Sequence, residues 1–134
     1  KWRSKMPRKL KLLIVDDEKD ICKFVRIVFK NRGFLVYNAL TGRNAIKIAK
    51  KVKPDIVLLD LYLRKGIDGI QALCQISKIS PKTKCIMVTW EKAKGKAMEA
   101  KKLGAVLYLT KPLTVKDLIK AVSKLLKGLK KARK

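Results

Sequence analysis

Carboxylates are scarce in this chain, which makes their placement informative. Of its 134 residues, 10 are Asp or Glu and 35 are Lys or Arg. Asp16, Asp17, Glu18 and Asp20 stand within one short stretch, and Asp60 closes the apolar run Ile56 to Leu59. Carboxylates gathered in one place repel one another, which raises their pKa values unless a cation sits among them. A hard divalent ion suits such oxygen ligands, and Mg2+ is typical, held by a few carboxylates and otherwise by water or phosphate. Each part also has a plain structural reading. Acids favour a helix N-terminus, so Asp17 or Asp20 could serve only the first helix. Asp60 could simply begin a loop.

Other chemistries are excluded or weakened by composition. The chain has no histidine, so no Ser-His or Cys-His nucleophile and no phosphohistidine carrier can be built from it. Cys22, Cys74 and Cys85 are far apart, odd in number and set among apolar residues. They read as free core thiols in a reducing compartment, which points to the cytoplasm, and with no CxxC pair they do not suggest zinc. No apolar run approaches the length of a membrane span, and the basic start is followed by too short an apolar stretch for a signal peptide. The formal charge of +25 favours polyanions in general. The lysines, however, lie along every helix and are not interleaved with aromatics, as on solvated faces.

The elements that must position the acids follow from periodicity. Pro54 blocks helix continuation, and Ile56 to Leu59 reads as a strand covered on both faces. The spacing predicts strands over 10–15, 34–38, 56–60, 84–89 and 105–109. It predicts helices from Asp17 or Glu18 to about Asn31, after Thr41 through Lys51, over 69–79, over about 92–102, and after Thr114. Gly33 ends the first helix, and Thr114 with Asp117 resembles a capping box. In the last helix Val115, Leu118, Ile119, Val122, Leu125 and Leu126 form the expected buried stripe. In the third, Ile70, Leu73, Cys74 and Ile76 are expected to face inward. The fourth helix, with Ala93, Ala97, Met98 and Ala100, should be the least firmly anchored. Alternation of strand and helix gives an α/β fold, a single doubly wound five-stranded parallel sheet of flavodoxin-like order 2-1-3-4-5. The switch point then lies between strands one and three, where Asp16, Asp17 and Asp60 meet.

On these residues the sequence resembles a response-regulator receiver domain over about Leu10 to Lys127. Carrying the resemblance are Val-Asp-Asp-Glu at 15–18, Leu-Leu-Asp at 58–60, Asp-Gly at 68–69, Val-Thr at 88–89 and Lys-Pro at 111–112. It implies that Asp60 is the phosphoacceptor. Asp16, Asp17, Asp60 and the backbone carbonyl of Tyr62 would hold Mg2+. Thr89 would bond a phosphoryl oxygen, Lys111 would bind the group as a point charge, and the Lys111–Pro112 bond would be cis. Tyr108 matches an aromatic that swings inward on activation. The implied function is a phosphorylatable switch of a two-component system that promotes its own phosphorylation and dephosphorylation and is not an enzyme on other substrates. The phosphohistidine donor would be a sensor histidine kinase or a histidine phosphotransfer protein. The output would pass through the helix 4, strand 5 and helix 5 face, which could also make a homodimer.

Residues 1–9 are expected to be a basic leader, 10–127 the receiver domain, and 128–134 a basic tail or the start of a linker. The chain departs from the family in three places. Trp90 stands where a small residue is usual and should narrow access to the site. Arg64 replaces a common proline, and the loop to Gly69 is one residue longer. Competing readings are a phosphorylation-independent interaction module with the same fold and a phosphohydrolase, whose Asp-x-Asp spacing is missing at Asp16-Asp17-Glu18. Nucleic acid would be met through the basic surface or an effector domain outside these residues.

Overall fold

Short, largely apolar runs of five or six residues alternate with stretches of helical period, and the strands form on those runs. The computed structural model describes residues 8–90 and 94–132. Within them, β1 (Lys11–Val15), α1 (Lys19–Lys30), β2 (Leu35–Ala39), α2 (Gly42–Val52) and β3 (Ile56–Asp60) come first. They are followed by α3 (Gly69–Ile79), β4 (Lys84–Thr89), α4 (Lys94–Lys102), β5 (Ala105–Thr110) and α5 (Val115–Ala132). The sheet order is β2-β1-β3-β4-β5, and every pairing is parallel. Residues 1–7 of the expected leader and 92–93 of the expected fourth helix lie outside the described residues.

The two faces of the sheet explain the unbroken apolar runs. Leu13, Val15, Val57, Leu59 and Met87 point to one face and pack with Ala45 and Ala49 of α2, Leu73 and Ile76 of α3, and Ala100 of α4. Leu12, Ile14, Ile56, Leu58, Ile86 and Val88 point to the other, against Val25 and Phe29 of α1 and Leu118 and Val122 of α5. Ile56, Val57, Leu58 and Leu59 are wholly buried, each contributing roughly 1.5–3 kcal/mol on removal from water. β3 is therefore the most deeply covered path to the edge that bears Asp60.

Caps and turns set the element ends. Thr41 accepts from the Asn44 N–H at 3.2 Å, and Thr114 accepts from the Asp117 N–H at 3.0 Å. Asp68 and Gln71 close a full capping box before α3. α1 starts at Lys19 with no side-chain cap from Glu18; instead Asp16 accepts from the Glu18 N–H at 2.8 Å, in an Asx turn.

Several inward-facing expectations need correction. Cys74 is half-buried rather than in the core, whereas Cys22 and Cys85 are buried; in α3 the small Ala72 takes the covered position. Val115 is 41% exposed, because α5 begins beyond the sheet edge and first meets the core at Leu118. Ile119 and Leu125 are only partly covered, and Ala121 joins the buried stripe instead. α5 runs past Lys127 to Ala132, into the segment read from sequence as a tail. Arg8, placed in the leader by sequence, pairs with Asp55 at 2.6 Å at the far end of β3. Among the described side chains of α4 only Ala100 is buried, in keeping with its weak expected anchorage.

Candidate functional site

Register brings the acids together. Val15 pairs with Leu59, so the next residues, Asp16 and Asp60, leave neighbouring central strands at the same edge. The backbone of Asp16 is fixed by its N–H donating to the Ala39 carbonyl at 3.1 Å. Asp16 is 1% exposed and Asp60 5%, and with the more open Asp17 they can direct one oxygen each to within 4.8 Å of one another. This is the constellation the sequence predicts; Glu18 and Asp20 stay outside it, on the start of α1.

Two cations sit among the three carboxylates. Lys111 Nζ lies 3.0 Å from Asp16 Oδ2 and 3.1 Å from Asp60 Oδ2. Lys111 arrives there because its N–H donates to the Thr89 carbonyl at 2.8 Å, tying the end of β5 to β4. The Lys111–Pro112 bond that follows is cis, as the resemblance implied. Burial alone would depress the Lys111 ammonium, but its bonds to Asp16 and Asp60 and their charges outweigh that, and its pKa stands above the usual value. Asp17 is met from the other side. Arg64 Nε lies 2.9 Å and its backbone N–H 3.1 Å from Asp17 Oδ2. The hydrogen-bonded guanidinium holds the Asp17 carboxyl below its ordinary range, against a smaller opposing effect of burial. Sequence reasoning did not foresee this pairing; the only signal was that Arg64 departs from the family.

The Asp60 carboxyl is shifted the other way from Asp17. Burial, and next the charge of Asp16, push its carboxyl up to about 6, against the Tyr62 N–H, which donates to Oδ1 at 3.0 Å, and Lys111. A second contributor is Gly69, part of the Asp-Gly pair quoted for the resemblance but with no contact foreseen for it. A Cβ there would come within 2.3 Å of the Asp60 carbonyl oxygen and 2.7 Å of that of Leu61. The Asp68-Gly69 pair is thus a cap followed by a close approach, and together they fold the long loop back onto the strand end. Gly66, at φ +74, supplies the turn inside that loop.

The remaining predicted residues ring the site. Thr89 is buried beside it at the end of β4, but its hydroxyl donates to the Trp90 carbonyl at 3.2 Å and makes no bond to Asp60. Trp90, half-exposed, has Lys111 Nζ 5.9 Å from its ring centroid, so the indole stands beside the site. Tyr62 turns its ring outward beneath Lys96 of α4, at 5.2 Å. Tyr108 on β5 is 47% exposed.

Carboxylate oxygens converging from two strand ends, with a lysine bridging two of them, are a donor set that fits Mg2+. In this fold the topological switch point is also where ligands bind. Residues 12–123 match the model of the response regulator receiver domain, and the chain belongs to that family. It is 34% identical over 116 residues to the sporulation initiation phosphotransferase F of Bacillus subtilis, covering 87% of this chain and 93% of that one. It is 36% identical over 116 residues to the chemotaxis protein CheY of Listeria monocytogenes, covering 86% and 97% respectively. The structure of NtrX from Brucella abortus superposes with a TM-score of 0.87 at 27% identity, over 94% of this chain and 28% of that longer one. No helix among the described residues is long and apolar enough to cross a membrane.

Proposed function

We propose that this chain is a phosphorylatable signalling switch in which Asp60 accepts a phosphoryl group from a phosphohistidine donor. The observation that supports it most is Lys111 Nζ bridging Asp16 and Asp60 at 3.0 and 3.1 Å inside the carboxylate cluster. Asp16, Asp17 and Asp60, with the Tyr62 carbonyl, would hold Mg2+; when bound it cancels charge on the carboxylates and on the phosphoryl oxygens.

The chain's own groups do the rest. An Asp60 oxygen attacks phosphorus in line, the new O–P bond forms as the P–N bond breaks, and the electron pair leaves on the donor imidazole. The Tyr62 N–H holds the other Asp60 oxygen in place. Lys111 transfers its contact from Asp60 to the phosphoryl group, because an acyl phosphate carries more negative charge than the carboxylate it replaces. The Thr89 hydroxyl exchanges the Trp90 carbonyl for a phosphoryl oxygen. The Tyr108 ring moves inward as the ends of β4 and β5 are drawn toward the site. Water attacks the phosphorus, the Asp60 O–P bond breaks with its electron pair returning to the carboxylate, and inorganic phosphate leaves; this resets the switch, so the chain acts on itself and is not an enzyme on external substrates.

Its partners are then a sensor histidine kinase or a histidine phosphotransfer protein in the cytoplasm, with output through α4, β5 and α5. The test is exposure to Mg2+ with a small acyl phosphate, read by intact mass, and to beryllofluoride, read by tryptophan fluorescence. Wild type should gain one phosphoryl group and shift its emission. Asp60→Asn should do neither. A modified Asp60→Asn would move the acceptor to another residue, and an unresponsive wild type would leave the phosphorylation-independent interaction module as the better reading.

A further inference from the structure

Arg64 has a place in the site that the other cation does not share. Lys111 is buried, whereas the Arg64 side chain is 73% exposed and reaches Asp17 from the loop after β3. Its backbone N–H and Nε both donate to Oδ2, at 3.1 and 2.9 Å, and Nη2 donates to Oδ1 at 3.3 Å. Both Asp17 oxygens are therefore engaged, one by two donors and the other by the guanidinium alone. The loop that delivers Arg64 is held at its far end by the close seat of Gly69 on the strand end.

We propose that Arg64 is a displaceable resident cation that competes with a divalent ion for Asp17 and so sets the metal affinity of the site. The inference rests on the reading that Asp16, Asp17 and Asp60 hold such an ion. Eviction requires only that the guanidinium swing into water. The backbone N–H can stay on Oδ2 while Oδ1 turns to the incoming ion. The exposure of the side chain makes this cheap, so Arg64 weakens metal binding without preventing it. The fork geometry matters as well as the charge. A lysine at this position would present a single mobile ammonium in place of the planar fork that meets both oxygens.

The experiment is calorimetric titration of the full chain with Mg2+ alone at about 0.15 M salt, where charges farther apart than roughly 8 Å are largely screened. Arg64→Ala should bind Mg2+ roughly two- to fivefold more tightly than wild type, the range expected for losing an exposed ion pair. Arg64→Lys should fall between. Lys65→Ala removes the same charge one residue away, from an exposed position, and should stay near wild type. An Arg64→Ala affinity equal to wild type, or a gain matched by Lys65→Ala, overturns the competition while leaving the metal site standing. Failure of every variant and of wild type to bind Mg2+ overturns both. Circular dichroism of each variant in chelator confirms that the comparison is made between folded chains.

Discussion

Replacing Asp60 by asparagine should stabilise the metal-free protein. The carboxyl is 5% exposed, and burial with the nearby Asp16 charge moves it from 3.8 to about 6. At neutral pH that displacement corresponds to roughly 3 kcal/mol of unfavourable charging in the folded state. Asparagine removes the charge at nearly constant volume and keeps an oxygen for the Tyr62 N–H. Against this, Lys111 loses one partner, though Asp16 still holds it at 3.0 Å. A net gain of roughly 1–3 kcal/mol is expected, measured by urea unfolding at pH 7 in excess chelator. The sign follows from linkage. A carboxyl raised on folding is protonated in both states below pH 3.8, and as pH rises from there to about 6 the unfolded chain loses its proton first. Its contribution therefore falls across that window in wild type and is absent from the variant, so the two curves should diverge between those values. Added Mg2+ should stabilise wild type far more than the variant and close or invert the gap. An Asp60→Asn protein no more stable than wild type in chelator at pH 7, with parallel pH curves, would refute the reasoning. It would mean that Lys111 already compensates the Asp60 charge in full.

Trp90→Ala should open the entrance and raise the rate of modification by a small acyl phosphate several-fold, with little change in stability at a half-exposed side chain; unchanged single-turnover rates would remove the indole as a gate. Gly69→Ala should cost on the order of 1–3 kcal/mol, since the methyl meets the backbone of Asp60 and Leu61, and should also reduce acceptor reactivity. Urea midpoints and mass spectrometry check the two effects. Burial raises the Cys85 thiol to about 12 and, more than the charge of Asp16, the Cys22 thiol to about 11. Stability should accordingly decline as pH rises above 9, where the unfolded thiols ionise first, and Cys85→Ala should flatten part of that decline. At pH 8 an aromatic disulfide reagent should label half-buried Cys74 well before the other two.

The fold was legible because the strands are short apolar runs between breakers, and five such runs leave few topologies open. The acid corner was legible for the same reason: once β1 and β3 are neighbours, Asp16 and Asp60 must leave at one edge. Helix faces were read less well. Period alone favours larger residues, so Val115, Cys74 and Ile119 were drawn inward while the small Ala72 and Ala121, left out of the stripe, are buried. Arg64 on Asp17, Gly69 against Asp60 and Arg8 on Asp55 were not legible. Each is a contact set by where a loop or terminus returns, which side-chain spacing along one element does not encode. The direction of the Thr89 hydroxyl, toward the Trp90 carbonyl, was not legible either, because a strand residue's place along the chain does not fix its side-chain partner.

The Arg8–Asp55 pair has a bearing on how this domain could transmit force. Asp55 also accepts from the Lys11 N–H at 2.8 Å, and its own N–H and carbonyl bond Lys11 and Lys84 at 2.9 Å. The blunt end of the central strand is thus riveted to both neighbours, some distance from the reactive tip. A strand riveted at its root cannot slide lengthwise like a piston. A displacement at the tip would then be taken up near the tip itself, in the loops that follow the strands, and not at this root.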